Sequence, residues 1–351
     1  MPSINSMTLM TRPDSNPAMI PSVDGADECA DWKARLRNAW RDPVALLASL
    51  GLDSLVPHLD LNTPFAFLVT REFASRIRPG DPDDPLLRQV LPLASERQAA
   101  PHFVADPVGD RASRRMPGLL HKYRGRALLI TTEACPIHCR YCFRRAHDYA
   151  SDRLNDQALE RIIGYLKADP GIEELILSGG DPLMLGNARL TRLTDALGAV
   201  PHLKRLRIHS RVPVTLPQRV DDGLCEWLGS VRYQTVVVIH ANHAQEFDAQ
   251  VARALHRLRQ AGAWVLNQAV LLAGVNDDPE TLAGLMTASF THGALPYYLH
   301  LLDRVAGSRH FEVEAHRARS LAEQLRIRLP GYLVPRLVRE QAGMPYKQPI
   351  L

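Results

Sequence analysis

From Arg126 onward the sequence alternates short apolar runs with longer segments whose apolar residues recur every three or four positions, and few folds accept that rhythm. The runs are Ala127–Thr131, Leu175–Ser178, Leu206–Ile208, Thr235–Ile239, Trp264–Val270 and Tyr297–Leu301. Between them, Asn155–Lys167, Ala188–Leu197 and Gln245–Gln260 read as amphipathic helices. Strands separated by helices pair in parallel through right-handed crossovers. Six such units fall short of the eight of a closed barrel, which predicts an α/β fold built on an open, partial (βα)6 barrel.

The rest of the chain frames that barrel. Residues 1–28 mix Pro, Ser, Asn and Asp without periodicity and read as a loose leader. Residues 29–118 read as a helical region plus connector: Trp32, Leu36 and Trp40, then Pro43, Leu46, Leu47 and Leu50, mark short helices. Phe65–Arg78 reads as another, opened by Pro64 and closed by Pro79-Gly80, and the Pro- and Asp-rich residues 79–118 read as a surface connector. The barrel is expected over 119–310 and a C-terminal segment over 311–351, with a helix near Glu312–Arg326 and a strand near Gly331–Val338. A net charge of +4, from 42 Lys plus Arg against 38 Asp plus Glu, is too small for nucleic-acid binding by bulk charge. With neither a signal peptide nor a membrane-length apolar run, a cytoplasmic protein is expected.

Three of the five cysteines, Cys135, Cys139 and Cys142, crowd into eight residues just after the first barrel strand, where βα loops build active sites. Cys29 and Cys225 stand apart, so this is no disulfide scaffold. Three thiolates can hold three irons of a cubane and leave the fourth open. The alternative is a zinc ion completed by His138 or His147. After the second strand, Gly179-Gly180 lets the main chain approach another group closely.

The CxxxCxxC motif, with Tyr141 before its last cysteine, resembles that of the radical S-adenosylmethionine superfamily. Ser178-Gly179-Gly180-Asp181-Pro182-Leu183 is similar to that superfamily's glycine-rich motif. Residues 119–349 further resemble the lysine 2,3-aminomutases, in particular the short bacterial branch that supplies (R)-β-lysine for modifying elongation factor P. The resemblance rests on His121–Arg126, Cys135–Arg145, Ser178–Leu183, His209–Pro213, Asn267–Leu272, Gly274–Asp277, Pro296–Asp303 and Gly343–Pro349.

That resemblance implies a [4Fe–4S] cluster on the three cysteines. It implies S-adenosylmethionine at Tyr141, Ser178, Gly179, Gly180, Asp181 and Gln268, and pyridoxal 5′-phosphate held covalently by Lys347. Lys122 and Arg126 match residues that meet the cofactor's phosphate, and Tyr123 an aromatic near its ring. Arg144 matches the arginine that grips the substrate carboxylate, while Asp303 and Glu340 match acids that meet the ε-ammonium. His240 and His243 lie at a strand end facing the same site, where a structural role is equally open. The family's long glycine run before the lysine is reduced here to Gly343-Met344-Pro345-Tyr346. The sequence ends four residues after Lys347, so the zinc-bridged assembly of the long aminomutases is not expected.

The implied reaction moves the α-nitrogen of L-lysine from C2 to C3 after a 5′-deoxyadenosyl radical removes a C3 hydrogen. A flavodoxin or ferredoxin would supply the electron, and a separate ligase would pass β-lysine to elongation factor P. Other readings are a radical aminomutase for glutamate or arginine, and a non-catalytic iron–sulfur module.

Overall fold

The computed structural model describes residues 31–351, which form one compact unit; the expected leader and Cys29 lie outside the described residues. Ten strands form one sheet in sequential order: β1 (Arg114–Met116), β2 (Leu119–Tyr123), β3 (Arg126–Thr132), β4 (Glu174–Gly179), β5 (Arg205–Ser210), β6 (Gln234–Ile239), β7 (Trp264–Leu271), β8 (Leu295–Leu301), β9 (Arg336–Arg339) and β10 (Gln348–Pro349). From β3 to β9 every pairing is parallel, while β1–β2–β3 and β9–β10 are antiparallel. Among the described residues β1 and β10 do not pair, so the sheet is an open, partial barrel. All six expected runs are strands β3–β8.

Four of the crossover helices begin where an Asn or Asp side chain satisfies a first-turn N–H, while Asn187–Leu197 and Ala315–Arg328 start without a side-chain cap. Asn155 caps Asp156–Ala168, Asp221 caps Asp222–Ser230, Asp248 caps Ala249–Gln260 and Asp278 caps Pro279–Thr291. Their apolar stripes pack on the outer face of the sheet, where Leu175, Leu177, Leu206, Ile208, Val237 and Leu299 meet Ile162, Leu190, Leu255 and Leu285. Each such side chain contributes about 1.5–3 kcal/mol by leaving water.

Three sequence expectations need correction. Within 79–118 most of 97–107 is exposed as expected, whereas the stretch 84–92 is not a surface connector, because Leu86, Leu87 and Val90 are fully buried in a second core with Leu46, Leu47 and Phe73. Its Pro and Asp residues make turns and caps: Asp84 caps the short helix Pro85–Arg88. Phe65–Arg78 is mostly not helical; only Arg71–Ala74 is, since Val69 is bridged to Trp40 by reciprocal backbone hydrogen bonds that hold the preceding chain extended. The last expected strand starts later, at Arg336, after a 3₁₀ turn at Gly331–Leu333. No helix among the described residues is long and apolar enough to cross a membrane.

Candidate active site

The loop after β3 carries Cys135, Cys139 and Cys142, and the N-terminal region grips it. Ile137 buries its side chain in the second core. The Leu68 and Gln89 carbonyls accept from the His138 and Arg140 amides, both at 2.9 Å. Arg140, wholly buried, forks onto Glu96 with Nε 2.8 Å from Oε1 and Nη2 2.6 Å from Oε2. The three thiols are half-buried neighbours: burial, then the charge of Cys139, pushes the Cys142 thiol up to about 11. Such thiols ionise readily only against a cation or a metal centre.

The zinc alternative needs His138 or His147, and each has another partner. Among the described residues no three His, Cys, Asp or Glu side chains are arranged around a single ion. His138 Nδ1 is 2.8 Å from the Ala66 carbonyl and His147 Nε2 is 2.9 Å from Asp152, so both histidines are engaged elsewhere.

Gly179 and Gly180 are tied to the cysteine loop itself. A Cβ on Gly180 would stand 2.5 Å from the carbonyls of Glu133 and Ala134, and Gly179 adopts φ +127° beside the Thr132 carbonyl. The close approach that requires glycine is therefore between two stretches of this chain, a reason the motif alone did not reveal. Asp181 likewise faces inward. Its carboxylate accepts from Ser210 Oγ at 2.8 Å and from the amides of Leu183, Arg211 and Val212, and burial still pushes it up to about 6. Its side chain latches β4 to β5, which leaves the main chain of the motif to carry the expected contact with S-adenosylmethionine.

A continuous chain of charge joins the glycine motif to Lys347. Arg144 donates from Nη1 to Ser178 Oγ at 2.9 Å and from Nε to Asp110 Oδ2 at 2.8 Å. Asp110 Oδ1 lies 2.6 Å from Lys122 Nζ, which also donates to Glu340 Oε1 at 2.8 Å and to the Val108 carbonyl at 2.9 Å. Glu340 Oε2 then meets Lys347 Nζ at 3.0 Å. The last link follows from register, because Gln348 pairs with Arg339, which sets Lys347 opposite Glu340. Burial works against Glu340's charge, but Lys347 and Lys122 hold its carboxyl well below the usual range.

Two expected roles shift accordingly. Lys122 donates to Glu340 and Val108 and forms an ion pair with Asp110, so its charge is already balanced by two carboxylates, which disfavours it as a phosphate ligand. Arg126, over the Tyr123 ring at 4.5 Å, makes no ion pair among the described residues. Glu340, expected at the substrate ammonium, is shared between two lysines of the chain. Asp303 differs: its buried Oδ1 has no hydrogen-bond partner among the described residues, and burial, then the charge of Glu340, pushes it up to about 7.

The inner face of the strands mixes polar residues with aliphatic ones such as Ile176, Val238 and Val270. Ser178, His209, Gln268 and His300 alternate with outward-facing aliphatic residues, and His240 follows β6. The Nε2 atoms of His209 and His240 are buried without a hydrogen-bond partner among the described residues; burial drives both imidazoles down, His240 to about 3. His300 Nε2 lies 3.5 Å from Lys347 Nζ, and the Gln268 amide makes no hydrogen bond among the described residues. His243 is structural, its Nδ1 accepting from the Gln245 amide. The Tyr141 hydroxyl is spent on Gln89 and Asn242. Sequence reading missed Asp110, Gln89, Asn242 and Glu246, which lie in stretches with no motif. It also gave Arg211 no role, although His209–Pro213 flagged its surroundings.

Comparison with known proteins agrees with this geometry. Residues 129–286 match the radical SAM superfamily. The chain is 44% identical over 323 residues to the L-lysine 2,3-aminomutase of Escherichia coli (strain K12), covering 91% of this chain and 94% of that one. It is 41% identical to the protein of the same name from Haemophilus influenzae, covering 94% and 98%. With the L-lysine 2,3-aminomutase of Clostridium subterminale it shares 33% identity, over 81% of this chain and 68% of that one.

Proposed function

The chain belongs to the lysine 2,3-aminomutase family of the radical SAM superfamily and is an isomerase, and from that premise we propose that it converts (S)-α-lysine to (R)-β-lysine with pyridoxal phosphate as second cofactor. The observation that carries the reading is the unbroken path Ser178–Arg144–Asp110–Lys122–Glu340–Lys347, which puts the radical motifs and the C-terminal lysine in one site. When bound, the cluster and S-adenosylmethionine supply a 5′-deoxyadenosyl radical, and pyridoxal phosphate supplies a carbonyl that holds the migrating nitrogen.

The chain's own residues fit those groups. Cys135, Cys139 and Cys142 would hold the cluster, and Gln268 offers S-adenosylmethionine an uncommitted amide. Lys347 would hold pyridoxal phosphate, with Tyr298 5.6 Å from its Nζ and Arg126 the cation for the phosphate. Arg144 keeps Nη2 unpartnered while Asp110 and Ser178 fix its other nitrogens, which orients one arm toward a carboxylate. Asp303 supplies a buried acceptor for the distant ammonium and favours lysine over glutamate. The aliphatic sheet and the N-terminal core keep water from these groups.

Anaerobic incubation with lysine, arginine or glutamate, plus S-adenosylmethionine, pyridoxal phosphate and a reductant such as flavodoxin, tests the reading. β-Lysine formation supports it, and turnover of glutamate alone would overturn it. Delivery of the product to elongation factor P through a ligase is the physiological destination we propose, checked by mass spectrometry of that factor in a deletion strain.

A further inference from the structure

Arg211, the first residue after β5, directs a cation at a cluster cysteine. Its Nη1 donates to Cys139 Sγ at 2.7 Å, while Nη2 donates to Gln89 Oε1 at 2.6 Å and Glu246 Oε2 at 2.9 Å. The guanidinium lies over the rings of Phe73 and Tyr141, at 5.2 and 5.8 Å, and the Arg211 amide is anchored on Asp181 at 2.7 Å. An ordinary buried ion pair would need only Glu246. Here the guanidinium leaves its own Nε buried and unpartnered while it faces the sulfur. The clamp spans three regions of the chain: Gln89 comes from the N-terminal core, Arg211 from the end of β5, and Glu246 from the turn after β6.

A cationic N–H donor on a ligand sulfur stabilises the more negative, reduced state of a cluster and so raises its potential. At a buried site, salt does little to screen that effect. We propose that Arg211 is a positioning residue that raises the reduction potential of the cluster through Cys139, with Gln89 and Glu246 fixing its aim. The inference rests on the reading that Cys139 holds an iron.

The test is an EPR-monitored potentiometric titration of the full chain, reconstituted anaerobically and free of S-adenosylmethionine, with iron and sulfide measured on the same samples. Arg211→Gln combined with Glu246→Gln removes both charges, so no lone buried charge is left to unfold the protein. That variant is expected to keep its iron and sulfide and to show a lower midpoint than the parent. Arg211→Lys, which keeps the charge but loses the fork, should fall between them and guards against misfolding of the neutral pair. Unchanged midpoints in cluster-replete variants would overturn the proposal and leave the cysteine assignment standing. A parent protein without iron and sulfide would overturn both.

Discussion

Strands β4–β8 present two faces that differ in chemistry, one largely apolar and one mixed. Outward, Leu175, Leu177, Leu206, Ile208, Val237 and Leu299 are essentially inaccessible within a largely aliphatic cluster that includes Trp227. Inward, the same strands carry Ser178, His209, Gln268 and His300 among aliphatic residues such as Val238 and Val270, and the buried Nε2 atoms of His209 and His240 have no hydrogen-bond partner among the described residues. A barrel interior packed for stability alone would be filled with branched aliphatic side chains. Uncompensated polar groups cost stability, so their concentration on one face marks that face as built for ligands. Substitutions on the two faces should therefore fail in different ways.

The largest contrast comes from the mouth of the inner face. Cys135→Ala, Cys139→Ala or Cys142→Ala should each abolish both the cluster and turnover while the outer core keeps the protein folded. Iron and sulfide assay alongside circular dichroism checks this. Lys347→Ala should abolish covalent cofactor attachment and leave the cluster intact. Borohydride reduction and peptide mapping reads that outcome, and label on another lysine would break the assignment.

Next come the charged groups around the substrate. Arg144→Ala should weaken every α-amino acid alike, whereas Asp303→Asn should hurt lysine far more than an uncharged analogue. Each loss is about 2–5 kcal/mol, roughly thirty- to several-thousandfold. Glu340→Gln should not discriminate between the two, because it releases Lys347, which is used whatever the substrate, and Lys122 with it. Steady-state kinetics with the paired substrates distinguishes the two acids.

On the outer face, Leu206→Ala or Leu255→Ala should cost about 2–5 kcal/mol of stability with substrate preference unchanged, measured by denaturant unfolding. A change of preference would show that the faces are not independent.

The smallest effect is a pH dependence. Asp303 holds its proton up to about 7, above its ordinary carboxyl value, so the folded chain keeps a proton that the unfolded chain has lost, and stability falls as pH rises through that window. Asp303→Asn should therefore raise the melting temperature of the ligand-free protein more at about pH 8 than at about pH 5. An ammonium placed beside Asp303 would ionise it, so lysine binding should tighten as pH rises through about 7, and that of a neutral analogue should not.

The sequence by itself determined the barrel and its chemistry. Runs at Ala127–Thr131 through Tyr297–Leu301 became β3–β8 because an apolar run flanked by amphipathic helices has one low-energy way to bury both faces. The cysteine spacing was legible because three thiols in eight residues are chemically unusual. Tertiary structure alone decided the partners. Asp110 and Gln89 sit in a Pro- and Asp-rich stretch that reads as surface, yet they hold Arg144 and Arg211 from 34 and 122 residues away. Glu340 was legible as an acid but not as the bridge between Lys122 and Lys347. Periodicity and spacing report what a residue does to its own element, whereas an ion pair depends on which distant elements the fold brings within 3 Å, and no local pattern encodes that.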